Sequence, residues 1–269
     1  MDEMNLNVSK EIKNIYSLFE DDLSKDTLMA RLQAEIEGKN ERIELKLENC
    51  FDELAASEKA NQRDVREHEY FKFPERFRKG TALIDCGSFD GRDGLYFSKW
   101  CGGDYSKIYA FEPIPESAEV CKRKLSEERA IVYQMALSDE NGVDYICSES
   151  QWKSYLLSDA GEFGRRENDL IINKQEIKVA TIDEIIKDDI GFIKLQAMGR
   201  EYQVLRGAEN VISTYKPMLS IVVNCASEIV TIMSYLHSLV PNYIFYLRQY
   251  YDSTTKKAGR CVLVCSIEE

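Results

Sequence analysis

Apolar residues recur along this chain with two different spacings, and the change from one to the other sets out its architecture. At Ile12, Ile15, Tyr16, Phe19 and Leu23 they fall three or four apart, and again at Leu28, Leu32 and Ile36, with Ser24 as N-cap of the second helix and Gly38 as its stop. A third stripe of the same kind passes through Ile43, Leu47, Cys50, Phe51 and Leu54. Beyond residue 80 short unbroken apolar runs take over, the mark of strands buried on both faces. They occupy 81–86, 108–111, 131–137, 177–180, 192–195 and 216–223, with helical segments at 115–128 and 181–187 among the stretches between them. Thr181 with Glu184 three places on is a capping box, and Pro115 suits a first helical turn. Runs 243–247 and 261–266 close the chain as an antiparallel pair. This alternation predicts an α/β fold around a mostly parallel sheet over residues 76–269, preceded by a helical extension over 1–75.

Charge narrows the range of partners. The formal net charge is −12, and the first 60 residues carry more than half of that excess. Such a surface repels nucleic-acid backbones and anionic membranes, so the expected partner is a small molecule, with no nucleic acid and no membrane span. The start of the chain lacks a basic n-region and an apolar h-region, and the expectation is a cytoplasmic protein. The eight cysteines include no C-x-x-C pair and fit buried thiols; no metal-ligand set is expected. The helical stripes of the extension are packing surface, either against the core or against a second copy in a homodimer.

Candidate chemistry concentrates where the first apolar run ends. Asp85-Cys86-Gly87-Ser88-Phe89-Asp90-Gly91 is an acid followed by a glycine turn, and the next run ends at Glu112-Pro113. That is a βαβ unit with a nucleotide at its carboxyl edge, in which Glu112 accepts hydrogen bonds from two ribose hydroxyls. A dinucleotide fingerprint needs G-x-G-x-x-G, and Phe89 stands where its middle glycine belongs. Asp85 and Asp90 suit a cationic ligand better than a pyrophosphate, which points to S-adenosylmethionine. Ser138-Asp139, in the polar turn after the third run, either reaches the exocyclic amine of adenine or forms a simple Asx turn.

Other residues are candidates for the acceptor side. The linker 66–74 brings His68, a general base or a surface histidine, and Tyr70 to a position where it folds over a cofactor pocket. Residues 147–168 are the least regular part and read as an acceptor loop, with Trp152 and Arg165 as contacts. In the stretch Lys194-Leu195-Gln196-Ala197-Met198-Gly199-Arg200-Glu201 a buried strand runs through a polar turn into a helix. Gln196 at its tip orients the acceptor or the methionine moiety, and Lys194 or Glu201 assists deprotonation unless Glu201 caps its helix or pairs with an arginine.

Taken together, Ile84 to Gly87 with Asp90-Gly91, Ala110 to Pro113, Ala136 to Asp139 with Gly142, Thr181 to Asp183, and Phe192 through Gly207-Ala208 to Lys216-Pro217 resemble the FkbM-type methyltransferases. The resemblance implies a class I, Rossmann-like fold with seven strands, the last antiparallel, and S-adenosylmethionine-dependent methylation of a hydroxyl on a small molecule or saccharide. The family writes its later motif K-x-D-x-E-G-x-E. Lys194, Gly199 and Glu201 match it, while Gln196 and Met198 replace the two inner acids. Glutamine neither takes up a proton at neutral pH nor binds hard cations well, so a donor-binding relative without turnover is the alternative expectation.

Overall fold

A computed structural model describes residues 3–37, 69–150, 153–156, 174–252 and 257–267. Seven strands form the central sheet: β1 (Ala82–Cys86), β2 (Ile108–Phe111), β3 (Ala130–Tyr133), β8 (Ile190–Leu195), β9 (Met218–Val223), β10 (Tyr243–Asp252) and β11 (Lys257–Ile267). Their order is β10-β11-β9-β8-β1-β2-β3. Strands β9, β8, β1, β2 and β3 run parallel, and β11 lies antiparallel to both β9 and β10. The order reverses between β8 and β2, on either side of β1, and a ligand crevice belongs at the carboxyl ends of these three strands.

Both faces of the sheet are covered, which is why its inner strands read as unbroken apolar runs. On one face Leu83, Ala110 and Phe192 pack with Phe97 of α3 (Arg92–Trp100), with Cys121 of α4 (Pro115–Lys124), and with Phe71 and Phe77 from the segment before β1. On the other face Ile84, Phe111, Ile193 and Ile221 meet α6 (Glu201–Arg206), α7 (Glu209–Tyr215) and α8 (Ala226–Leu239). The same cluster takes in Ile15 of α1 (Glu3–Leu18), Leu28 of α2 (Asp22–Ile36) and Phe19 from the corner between them. These helices pack on the sheet, and the corner between them guards its edge. The Glu20 N–H bonds the Phe245 carbonyl at 3.1 Å and the Leu247 N–H bonds Ser24 Oγ at 2.9 Å, occupying backbone groups of β10 that an edge strand otherwise leaves open. The N-cap of α2 is Asp21, one turn before the expected Ser24; its carboxylate accepts the Ser24 N–H at 2.8 Å and pairs with Arg248.

The run 131–137 is two strands. β3 ends at Tyr133, whose ring stacks on Phe111 at 5.0 Å, and Ala136–Leu137 (β4) enters a second sheet of order β4-β7-β5-β6. That sheet contains β5 (Gly142–Ser150), β6 (Lys153–Leu156) and β7 (Lys174–Ala180). The expected irregular loop 147–168 is thus corrected over its first part, where β5 and β6 pair as an antiparallel hairpin. The inner face of the small sheet, Ile146, Ile177 and Val179, packs on Ile114 just beyond Glu112-Pro113. Helix α5 (Ile182–Ile185) is capped by Thr181 as expected, its hydroxyl accepting the Glu184 N–H, while α4 stops at Lys124, short of residue 128. No helix among the described residues is long and apolar enough to cross a membrane.

Candidate active site

At the carboxyl ends of β1 and β8 the two backbones pass in close contact. Gly87 has φ +76°, and a Cβ there would lie 2.1 Å from the Gln196 carbonyl oxygen. Only glycine lets the turn pass so close to the neighbouring strand tip. Gly87→Ala is therefore expected to combine left-handed strain of about 1–3 kcal/mol with a backbone clash, lowering the melting temperature by roughly 5–10 °C. Thermal denaturation of the variant checks this, and an unchanged midpoint would contradict it. Gly91 (φ +77°) starts α3, and a Cβ there would press on Cys121 Sγ at 2.9 Å. Ser88 lies between them, buried, its hydroxyl donating to the Asp85 carbonyl at 2.8 Å.

Behind this turn lies a row of polar side chains fixed by strand register, since Asp85, Lys194 and Ser220 are aligned on β1, β8 and β9. Lys194 is fully buried; its Nζ stands 3.0 Å from Asp85 Oδ1 and 3.0 Å from Asp93 Oδ2 of α3, and donates to the Gly87 carbonyl at 2.9 Å. Burial pulls the Lys194 pKa down, but Asp85, Asp93 and the Tyr70 phenol outweigh it, and the net shift is upward. The two carboxylates favour the ammonium form of Lys194. Burial raises the Asp85 carboxyl and Lys194 opposes it. Nζ lies off the hydrogen-bonding direction of Asp85 Oδ1, and neither oxygen of this carboxylate is hydrogen-bonded. The charge of Asp85 is engaged inside the protein, under the turn.

Glu112 stands at the tip of β2, 5% exposed, with its carboxylate turned back toward the glycine turn. Oε2 accepts the Phe89 N–H at 2.9 Å and Oε1 accepts the Ile114 N–H at 3.0 Å. Each oxygen keeps a second lone pair, so the carboxylate holds the turn and still has capacity for two hydroxyl donors. Burial raises its pKa, and the two backbone N–H groups restrain the rise. Phe89 sits at φ +50°, a left-handed conformation that a bulky residue avoids without a compensating contact; its N–H bond to Glu112 is one.

Across the crevice, Gln196 continues the β1–β8 ladder through its N–H to the Cys86 carbonyl, and its side-chain Oε1 accepts from the Tyr70 hydroxyl at 2.8 Å. The next turn is held from below by Glu201, whose carboxylate accepts the Ala197 N–H at 2.8 Å and the Gly199 N–H at 2.9 Å. Glu201 thus braces the turn that precedes its own helix, and the helix itself has no side-chain cap. Burial, then the charge of Glu228, push its pKa up to about 7 against the pull of the backbone bonds. A carboxyl that keeps its proton longer in the folded state than in the unfolded one costs stability as pH rises from about 4.5 to about 7. Melting curves between pH 5 and pH 7.5 are expected to fall more steeply for the wild type than for Glu201→Gln; equal slopes would contradict this. Met198 at the apex is 54% exposed in a left-handed conformation, φ +56°.

Arg200, which the motif reading passed over, ties this turn to the small sheet, with Nη1 3.6 Å from Asp144 and Nη2 donating to Ser138 Oγ at 2.9 Å. Ser138 and Asp139 pack against the end of α6, where a Cβ on Gly207 would lie 2.0 Å from the Ser138 carbonyl and Asp139 pairs with Arg206. Asp90 faces Lys124 and Arg92. Of the residues expected to touch the acceptor, Tyr70 is buried and turned to Gln196, whereas His68, Trp152 and Arg165 lie outside the described residues. Asp93, Glu69 and Arg260 join the site only through the fold, because no spacing links them to β8 in the sequence.

A sheet of this order, with a buried acid at the tip of β2 and a bare glycine turn after β1, is the class I methyltransferase fold. The sequence profile described as the methyltransferase FkbM domain matches residues 85–251, and the chain belongs to that family. S-adenosylmethionine is its cofactor. The methyltransferase FkbM of Methylobacillus flagellatus KT has a similar fold, with TM-score 0.61 and 18% identity over 95% of this chain; the chain spans 58% of that protein's length. An rRNA methylase of Streptococcus thermophilus aligns with TM-score 0.45 and 12% identity over 78% of this chain and 99% of its own. A Streptococcus mutans protein solved in complex with SAH aligns with TM-score 0.43 and 10% identity, over 78% and 99%. No curated protein matches the chain in sequence.

Proposed function

We propose that this methyltransferase acts on a hydroxyl oxygen of a small molecule or saccharide. The observation that carries the reading is Gln196, a neutral carboxamide at the tip of β8 whose oxygen is taken by Tyr70, so that its N–H groups are directed to another acceptor. A hydroxyl oxygen accepts such a bond with one lone pair and attacks with the other. An amine has one lone pair, which the same bond would block. S-adenosylmethionine, when bound, supplies a methyl group on a sulfonium sulfur that departs as a neutral thioether. Glu112 holds the ribose hydroxyls, and the Gly87–Gly91 turn admits the ligand against bare backbone. Gln196 then fixes the acceptor oxygen, whose proton passes to solvent water as the oxygen–methyl bond forms and the methyl–sulfur bond breaks. Alignment of this kind is worth up to about 7–11 kcal/mol in favourable intramolecular reactions, enough to relieve the site of a strong base.

The alternative, donor binding without turnover, is favoured by one observation: Lys194 is locked as a cation and Glu201 is committed to two backbone bonds. Incubation with S-adenosylmethionine and a panel of free, phosphorylated and nucleotide-linked sugars, polyols and amines separates the readings. Formation of S-adenosylhomocysteine with a methyl ether located by NMR is the expected result. Methylation of amines alone would overturn the hydroxyl reading, and tight donor binding without any product would favour the alternative.

A further inference from the structure

We infer that Tyr70 is the positioning residue of this site: its hydroxyl fixes which way the Gln196 carboxamide faces. The inference rests on the reading of Gln196 as the group that meets the acceptor. Tyr70 is 2% exposed and donates to Gln196 Oε1 at 2.8 Å. The cations against its ring, Lys194 Nζ at 5.1 Å and the Arg260 guanidinium at 5.9 Å from the centroid, are donors only, and the carboxylates that act on it, Asp93 and Glu69, are paired with those same cations. If the carboxamide turned over, its nitrogen would donate to the phenol oxygen, and the phenol hydrogen would be left, among the described residues, with only the two carboxylates already paired to those cations. The flipped amide is thereby excluded, and the Gln196 N–H groups stay on the side away from Tyr70.

Tyr70 is itself held firmly. Glu69 pairs with Arg260 of β11 at 2.8 Å, and the Phe71 ring packs among Phe97, Trp100 and Phe192 at 5.8, 5.7 and 5.4 Å. Both Tyr70 and Arg260 lie outside the residues 85–251 matched by the family profile, so the side chain that aims Gln196 comes from this chain's own flanking segments.

The test is a double-mutant cycle on the full chain with Tyr70→Phe and Gln196→Ala, using an acceptor found in the sugar panel. Tyr70→Phe is expected to leave the Kd for S-adenosylhomocysteine within about twofold and to cut kcat by about tenfold, the worth of one oriented hydrogen bond. The double variant is expected to be no slower than Gln196→Ala alone. Losses that multiply, or a Tyr70→Phe enzyme with wild-type kcat, would overturn the inference. A second arm needs no acceptor: in the 15N-labelled protein the Gln196 side-chain amide, assigned by its disappearance in Gln196→Met, is expected to shift in Tyr70→Phe. An unmoved resonance refutes the role of Tyr70, whereas a shifted resonance with no turnover on any sugar refutes the hydroxyl reading and leaves the positioning intact.

Discussion

Lys194→Met is expected to lower the melting temperature by on the order of 10 °C. The substitution keeps length and apolar stem but deletes the cation between Asp85 and Asp93, leaving a fully buried carboxylate uncompensated. Removing one partner of a buried ion pair costs about 3–5 kcal/mol, and in a chain of this size each kcal/mol moves the midpoint by roughly 2–4 °C. Combining the change with Asp85→Asn is expected to restore part of the loss, because the second substitution removes the orphaned charge; Asp93 is partly exposed and finds solvent. Differential scanning calorimetry of the wild type and the two variants decides it. A single variant as stable as the wild type would mean that the buried charge is compensated by some other group.

The second large effect concerns donor binding. Glu112→Gln is expected to raise the Kd for S-adenosylhomocysteine by roughly 10- to 150-fold, the equivalent of one charged hydrogen bond at about 1.5–3 kcal/mol. Glutamine retains one oxygen for Phe89 or Ile114 and turns an N–H group toward the other donor, so the turn loosens as well. On the proposed contact of Glu112 with the ribose, 5′-methylthioadenosine, which keeps that sugar and lacks the amino-acid part, should weaken by a similar factor. Isothermal titration of both ligands checks the assignment. Affinities within twofold of the wild type for both would remove Glu112 from the ribose site.

The glycine turn, the acid at the tip of β2 and the placement of β8 beside β1 were all legible in the sequence. Each depends on local spacing and on the rule that successive βα units wind from a switch point. The partners of the charged residues were not legible. Asp85 read as an acid offered to a sulfonium ligand, yet the β1–β8 register sets Lys194 beside it and α3 adds Asp93. Lys194 read as a base for the same reason: its sequence neighbours do not reveal that two carboxylates surround it. The break between β3 and β4 was hidden because an apolar run of seven residues carries no mark of which strand each half will pair with. The partner of β4 is β7, some forty residues further on.

By itself, the sequence determined the α/β class, the strands of the central sheet and the glycine turn after β1, because periodicity and backbone conformation are properties of adjacent residues. Only the tertiary structure decided which ionisable groups are committed inside the protein, that Glu201 braces a turn, and that Tyr70 from the segment before β1 meets Gln196 at the far side of the crevice. Those outcomes depend on burial and on distances between residues up to 126 positions apart, and burial sets the energy of a charge or hydrogen bond far more than residue type does.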